Sequence, residues 1–337
     1  MDIERLPADE RAWRGWHTVW CDGIASDKPD QPPPTWQATR AGLRKPWPGQ
    51  ISEHWVAREG HQIIGAAEIK FPQLDNKDNA WLELMVHPEH RRRGVGSALL
   101  ARAVERVRED SRKRLMADAV QARPGGEERS GAPAAFAAKH GAKPALEEVR
   151  QRLTLPDGPL AGMDDTLADA WRHAGGYSLI RWTEAGAPDD IVAGIAALDS
   201  DFLNQAPMGE LEWEAELIDV AMAREIEQAI RDRGWERNHT AARHDASGEV
   251  VAWTAIGTDP ASSHHAYQQI TLVRPDHRGH RLGTVIKWEN LAHARARYPA
   301  LRHIDTWNAS VNQHMIAINE LMGFRPVDLG VNWQLEL

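Results

Sequence analysis

The chain has 337 residues, 42% of them hydrophobic and 26% charged, the balance of an ordinary globular protein with room for two domains at about 150 residues each. Lys and Arg number 40 against 49 Asp and Glu, a net charge of −9 that argues against nucleic acid or an anionic membrane as a partner, since both require a clustered positive field. Cys21 is the one cysteine, which excludes a disulfide framework and a cysteine-rich zinc site, and no metal site is expected.

The acidic start MDIERLPADERAWRGW is not a signal peptide, and no apolar run approaches the roughly 18 residues of a membrane span, so a cytoplasmic setting is expected. Trp13, Trp16 and Trp20 recur at helical spacing and predict a helix with a packing face. Val56 to Gly60, followed by the apolar run from Ile63, reads as a hairpin. Leu82, Leu84 and Val86 alternate as in a strand, and a basic, Gly-rich turn, Arg91-Arg92-Arg93-Gly94-Val95-Gly96-Ser97, follows. Leu99, Leu100, Ala103, Val104 and Val107 then predict an amphipathic helix.

The pattern repeats. Ile63 and Val250, Val86 and Val273, and Gly96 and Gly283 are each 187 residues apart, and Gly141 and Gly323 are 182 apart. A second turn, Arg278-Gly279-His280-Arg281-Leu282-Gly283-Thr284, precedes a helix carrying Val285, Trp288, Leu291 and Ala292. Self-similarity at this spacing predicts a duplicated domain. The Pro- and Gly-rich stretch from Pro156 to Asp165 marks the join, giving domains at 1–155 and 176–337 with a linker at 156–175.

A strand, a Gly-rich basic turn and a helix form an arrangement suited to phosphate, because backbone N–H groups and the helix N-terminus converge on the anion. Neither turn is a P-loop, since no Lys-Ser/Thr pair follows the last glycine, and neither completes the dinucleotide fingerprint.

Arg91-x-x-Gly94-x-Gly96, following Val86-x-Pro88, resembles motif A of the GNAT superfamily of N-acetyltransferases. The second copy departs from the motif, with Arg281 where its first glycine should stand. The resemblance implies an α/β fold of two tandem acyl-CoA N-acyltransferase domains, each a mixed, mostly antiparallel sheet flanked by helices. It implies acetyl-CoA as co-substrate, its pyrophosphate held by Arg91 to Ser97 and, in weakened or altered form, by Arg278, Gly279, His280, Arg281, Gly283 and Thr284. Met85, Val86 and Val273 would contact the same ligand, the two valines through a backbone N–H on the thioester oxygen. Glu83 is the implied catalytic base. Gln268 and Gln269 hold the second strand, where His264 and His265 are the alternative bases.

A second family motif fits Asn312, Met315, Asn319, Gly323 and Phe324, with Asn312 an implied cofactor contact. A degraded copy lies at Ser130, Pro133, Ala137 and Gly141. The family's usual acid, a tyrosine, is replaced by Asn319 in one half and Ala137 in the other, while Tyr177, Tyr267 and Tyr298 lie elsewhere. Glu210, Glu212, Glu214, Glu216 and Asp219 would either line an acceptor site in the second half or sit at a helix start.

The expected activity is acetyl transfer to a primary amine of a small polar cation, with the first half as donor site. The tandem layout resembles aminoglycoside N-acetyltransferases of the kasugamycin type. A mycothiol-synthase-like enzyme and a non-catalytic CoA-binding sensor are the alternatives, and a homodimer is compatible with each.

Overall fold

The computed structural model describes every residue except Pro159, Ala161, Glu184 and Ala185. The expected linker contains the first two of these, and that part of it lies outside the described residues.

Both halves run through the same elements. The first has β1 (Asp2–Arg5), α1 (Glu10–Asp27), α2 (Trp36–Arg44), the hairpin β2 (Gln50–Glu59) and β3 (Gln62–Pro72), and then β4 (Asn79–Val86). It continues with α3 (Val95–Glu109), β5 (Arg114–Gln121), α4 (Ala132–Lys139) and β6 (Lys143–Thr154). One extra helix follows, α5 (Met163–His173), inside the stretch expected to be a linker. The second half has β7 (Tyr177–Trp182), α6 (Val192–Gln205), α7 (Val220–Asp232), β8 (Glu236–His244), β9 (Val250–Thr258) and β10 (His265–Val273). It ends with α8 (Leu282–Arg297), β11 (His303–Ala309), α9 (Gln313–Leu321) and β12 (Arg325–Glu336). Even the register shift within the hairpins recurs, between Ala57 and Arg58 and between Ala242 and Arg243.

The compact units do not follow the expected boundaries. The first comprises Met1–Glu148, Met208–Glu214 and Asp328–Leu337, and the second Val149–Pro207 and Ala215–Val327. In the first unit the strand order is β1-β2-β3-β4-β5-β12, with Leu329 to Glu336 antiparallel to Gln121 to Arg114. In the second, the Val149 end of β6 heads the order β6-β11-β10-β9-β8-β7. Each sheet is therefore completed by the last strand of the other half of the sequence.

Apolar periodicity explains how helices cover both faces of each sheet. In the first unit Val95, Leu99, Leu100, Ala103 and Val107 of α3 pack on Ala57, Ile64, Ile69 and Leu82. The opposite face carries α1, capped by Asp9, whose carboxylate accepts from the N–H of Ala12 at 2.8 Å. Its buried stripe is Ala12, Trp16, Val19 and Gly23. The expected tryptophan stripe is thus rotated: Trp16 is buried and Trp20 packs beside it, but Trp13 lies off the stripe against the Arg44 guanidinium. Gly23 lets α1 pass over β4, since a Cβ there would lie 2.1 Å from Met85 Sδ.

In the second unit Leu282, Val285, Ile286, Trp288, Leu291 and Ala294 of α8 cover one face and Ile195 and Leu198 of α6 the other. Ala292 is exposed, and Ala294 takes its expected place in the core. Among the described residues, no helix is long and apolar enough to cross a membrane.

Candidate active site

The parallel pairing of β4 with β5 covers only Asn79↔Arg114, Ala80↔Leu115 and Trp81↔Met116. Beyond that point the strands part, which frees the backbone edge of Leu82 to Val86. The second unit repeats this, with β10 and β11 paired only at His265↔His303, Ala266↔Ile304 and Tyr267↔Asp305. Each unit therefore has a wedge between two parallel strands, and the basic turn and a helix N-terminus stand at its mouth.

The two turns share one backbone form by different residues. Arg92 and Gly94 are left-handed at φ 62 and 86°, and Gly279 and Arg281, their counterparts, at φ 86 and 54°. The glycine has moved from one left-handed position to the other, so the departure of Arg281 from the motif leaves the shape of the turn intact. Gly94 and Arg281 directly precede α3 and α8, whose first turns hold Val95, Gly96 and Ser97, and Leu282, Gly283 and Thr284.

The arginines divide in role. Arg91 turns back into the protein: its Nε donates to the carbonyl of Val86 at 3.1 Å, and its other nitrogens meet both carboxylate oxygens of Asp27 at 2.6 and 2.9 Å. Arg278 does likewise, donating to the Val273 carbonyl at 3.4 Å and to Gln205. Both bond the turn back to its strand, Arg91 half-buried and Arg278 exposed. Arg92 and Arg93 are exposed and make no ion pair among the described residues. Ser97 Oγ lies 3.1 Å from His140 Nε2, and His280 and Arg281 contact α5 through the His173 carbonyl at 3.3 Å and the Asp169 carboxylate. Asn312 is a helix cap, its side chain accepting from the N–H of Met315 at 3.3 Å.

On the α1 face of the first wedge lies a row of carboxylates that sequence reasoning largely missed. Glu83 stands directly opposite Glu68 in the β3–β4 register, and Lys70 bridges them with an ion pair to Glu83. Burial works to raise the Glu68 carboxyl, but His54 and Lys70 outweigh it and hold it at about 2. Glu83 moves the other way, raised by burial and by the charges of Glu68 and Asp118 against the opposing pull of Lys70. Glu148 is also raised by burial, with Asp118 adding to the effect and the Asn332 amide opposing it. Alternation along β3, β4 and β5 could have grouped Glu68, Glu83 and Asp118, but the strand order that aligns them is not local information.

The acidic run at 210–219 is divided: Glu210, Glu212 and Glu214 belong to the first unit, Glu216 and Asp219 to the second, and Asp219 caps α7 by accepting from Met222 N–H at 2.8 Å. Residues 208–214 belong to the first unit. There Asn76 and Asn79 bond the backbone of Glu214 and Glu212, Arg114 pairs with Glu212, and Trp213 meets Trp81 edge-on at 5.9 Å. A cleft of about 540 Å³ opens there, lined by Asp75, Asp78, Arg114, Glu212 and Trp213. It lies at the paired end of β4, away from the wedge mouth. Ligand atoms of His87, Glu89 and His90 come within 4.8 Å of one another, but His87 is already engaged by Asp22 at 3.1 Å and His90 by Glu59 at 3.5 Å.

In the second wedge the sequence reading missed a buried ionic cluster and a buried lysine. Asp305 receives Arg150 at 2.9 Å, Arg152 at 2.6 Å and His265 at 3.1 Å. His265 is thereby locked at the first paired rung, opposite His303, whereas His264 is exposed. Lys287 of α8 is 1% exposed and donates to Asn319 of α9. The sequence signal was a lysine inside the apolar run Val285-Ile286-Lys287-Trp288.

The profile of the Acetyltransferase (GNAT) family matches residues 21–124 and 202–324. The chain belongs to this family. Its two matched regions coincide with the two wedges and their turns. Among solved structures, a tandem GNAT protein from the clavulanic acid biosynthesis pathway is 31% identical over 99% of this chain and 98% of that one, with a TM-score of 0.84. A GCN5-related N-acetyltransferase from Sphaerobacter thermophilus shares the fold at 14% identity and a TM-score of 0.63, over 99% and 95% of the two chains. A mycothiol acetyltransferase of Parafrankia sp. (strain EAN1pec) is 43% identical over 56 residues, and the match spans only 16% of that protein.

Proposed function

We propose that this GNAT protein transfers the acetyl group of acetyl-CoA to a primary amine of a small, polar, cationic molecule at the first wedge. The observation that carries this reading is the row Glu68, Glu83, Asp118 and Glu148, whose four carboxyl groups are offset by Lys70 and His54. An acidic face beside an opened strand concentrates amine-bearing molecules and selects against anionic ones.

The donor fits the wedge. The first-turn N–H groups of α3, the left-handed Arg92 and Gly94, and the exposed Arg92 and Arg93 suit a pyrophosphate. The free edge of β4 suits an extended amide-bearing arm. Val86 N–H is available to polarise a thioester carbonyl, a role oriented backbone donors perform at no reorganisation cost. Glu83, with its carboxyl raised, accepts the proton that the attacking nitrogen sheds. The new C–N bond forms as the C–S bond breaks, and the electron pair leaves on sulfur.

The acid surface and tandem layout favour an aminoglycoside acceptor of the kasugamycin type. The 56-residue match favours a thiol-pathway acceptor, an amino-sugar cysteine conjugate. Free-thiol release from acetyl-CoA, followed across a panel of aminoglycosides, amino-sugar conjugates and peptide amines, tests the reading and separates the two. Release with a cationic amine is the expected result. No release with any amine, together with tight CoA binding, would establish a sensor instead.

A further inference from the structure

We propose that the second wedge is a transfer site in its own right, with Lys287 as the proton donor to the departing sulfur. The inference rests on the acetyl-transfer reading and extends it to the other unit.

The fold does not require Lys287. Its counterpart 187 residues earlier is Leu100, and the counterpart of Asn319, 182 residues earlier, is Ala137. The first unit builds the same helix pair with two apolar residues, so the second unit holds a buried amine that packing alone would disfavour. Among the described residues no carboxylate pairs with it. Its Nζ donates to the Asn319 amide oxygen and lies 5.4 Å from the centre of the Phe324 ring. Burial is the sole perturbation and pushes the amine down to about 7, with no charged group of α9, β6 or β11 contributing.

The pair is tied to the wedge. Asn319 donates to Asn308 at 2.6 Å and to Gln151 at 2.9 Å. Asn308 lies on β11 past the last paired rung, Tyr267↔Asp305, and so on the parted stretch. Lys287 itself lies about 7 Å along α8 from Leu282, at 1.5 Å per residue. An extended ligand with its anionic end on the turn and its arm along the parted stretch of β10 and β11 would have Asn308 beside it, and through Asn319 this amine.

The chemistry balances. The acceptor nitrogen bonds to the acetyl carbon, the C–S bond breaks, and the electron pair stays on sulfur. Lys287 as ammonium gives one proton to that sulfur, while the surplus proton of the nitrogen leaves to water. The neutral amine is then reprotonated from solvent. A donor near neutrality hands a proton downhill to a thiolate whose thiol lies at about 8.5, whereas an ordinary lysine at about 10.4 does not.

The full-length chain is compared with Lys287→Met and Lys287→Arg in two assays. Titrating the thiol of bound CoA by its ultraviolet thiolate absorbance needs no acceptor. One equivalent should titrate about one unit below free CoA in the parent and in Lys287→Arg, and at the free value in Lys287→Met. In thiol release with an active amine, measured in a Glu83→Gln background, Lys287→Met should lower kcat about 100-fold with KM for acetyl-CoA little changed. The parent's kcat should fall above about pH 7, a limb that Lys287→Arg abolishes. Thermal melts confirm that each variant folds. Identical thiol titrations, or release in that background indifferent to Lys287 or lost altogether, overturn the proposal. Absence of release from the unmodified chain with every amine would instead reject acetyl transfer at both wedges, an outcome the thiol titration distinguishes.

Discussion

Gly94 and Arg281 hold the same place before α3 and α8, and both are left-handed, at φ 86 and 54°. Glycine reaches this region freely, whereas an L side chain costs about 1–2 kcal/mol. Gly94→Ala should therefore destabilise by about 1 kcal/mol although the space around it is open. Arg281→Gly should be neutral or stabilising, because relief of backbone strain outweighs an exposed ion pair to Asp169 worth about 0–1 kcal/mol. Urea melts of both variants check the sign. A stabilising Gly94→Ala would show that the turn does not depend on its backbone form.

Glu83 must be ionised to accept a proton, and its carboxyl is raised. Turnover should thus climb with pH through that raised value, and Glu83→Gln should flatten the climb and lower kcat about 100-fold or more. The measurement is kcat against pH for both proteins. Unchanged pH dependence would remove Glu83 as the base.

Asp305 holds two arginines and a histidine at the core of the second unit. Arg152 and His265 hold its carboxyl well below the ordinary range despite the opposing effect of burial. A lowered folded-state value means that this stability is present above the unfolded value and is lost as pH falls toward the folded one. Asp305→Asn should cost about 3–5 kcal/mol at neutral pH by leaving buried cations uncompensated. Denaturant titrations should show that deficit shrinking in acid.

Lys287 gives a slope of the same sign in a more alkaline window. Its folded value, about 7, lies below the unfolded 10.5, so the unfolded chain binds the extra proton between them and stability rises with pH across that window. Lys287→Met should raise the melting temperature most at neutral pH, and its advantage should narrow toward pH 10. A constant difference would mean that Lys287 titrates normally.

Gly23 and Met85 form a steric pair. Gly23→Ala places a methyl within 2.1 Å of Met85 Sδ and should cost about 1–3 kcal/mol. Met85→Ala in the same chain should recover part of that loss, because the clash is with a side chain and not with backbone. A double-mutant cycle by thermal melt measures the coupling.

The duplication, the hairpins and both turns were legible because each depends on residues close in sequence. Hydrophobic periodicity and the spacing of Gly94, Gly96, Gly279 and Gly283 carry that information. The partners of β6 and β12 were not legible. Both strands follow a helix with alternating polarity, and nothing local states which sheet each will join. The acidic run was misplaced for a similar reason: Asn76, Asn79 and Gln334 catch its backbone from positions remote in sequence. Lys287 stood visible in an apolar run, but a single lysine there does not reveal whether it is buried or its helix rotated.

The swap of β6 and β12 also bears on biosynthesis. The strand that covers the β5 edge and buries Val331 and Trp333 against Ala119 emerges from the ribosome only after β6 to β11. Until then the first sheet carries a bare, partly apolar edge of the kind that invites association between chains. Its completion thus waits on the making of the whole second unit, and a chain cut before Asp328 would be prone to aggregate.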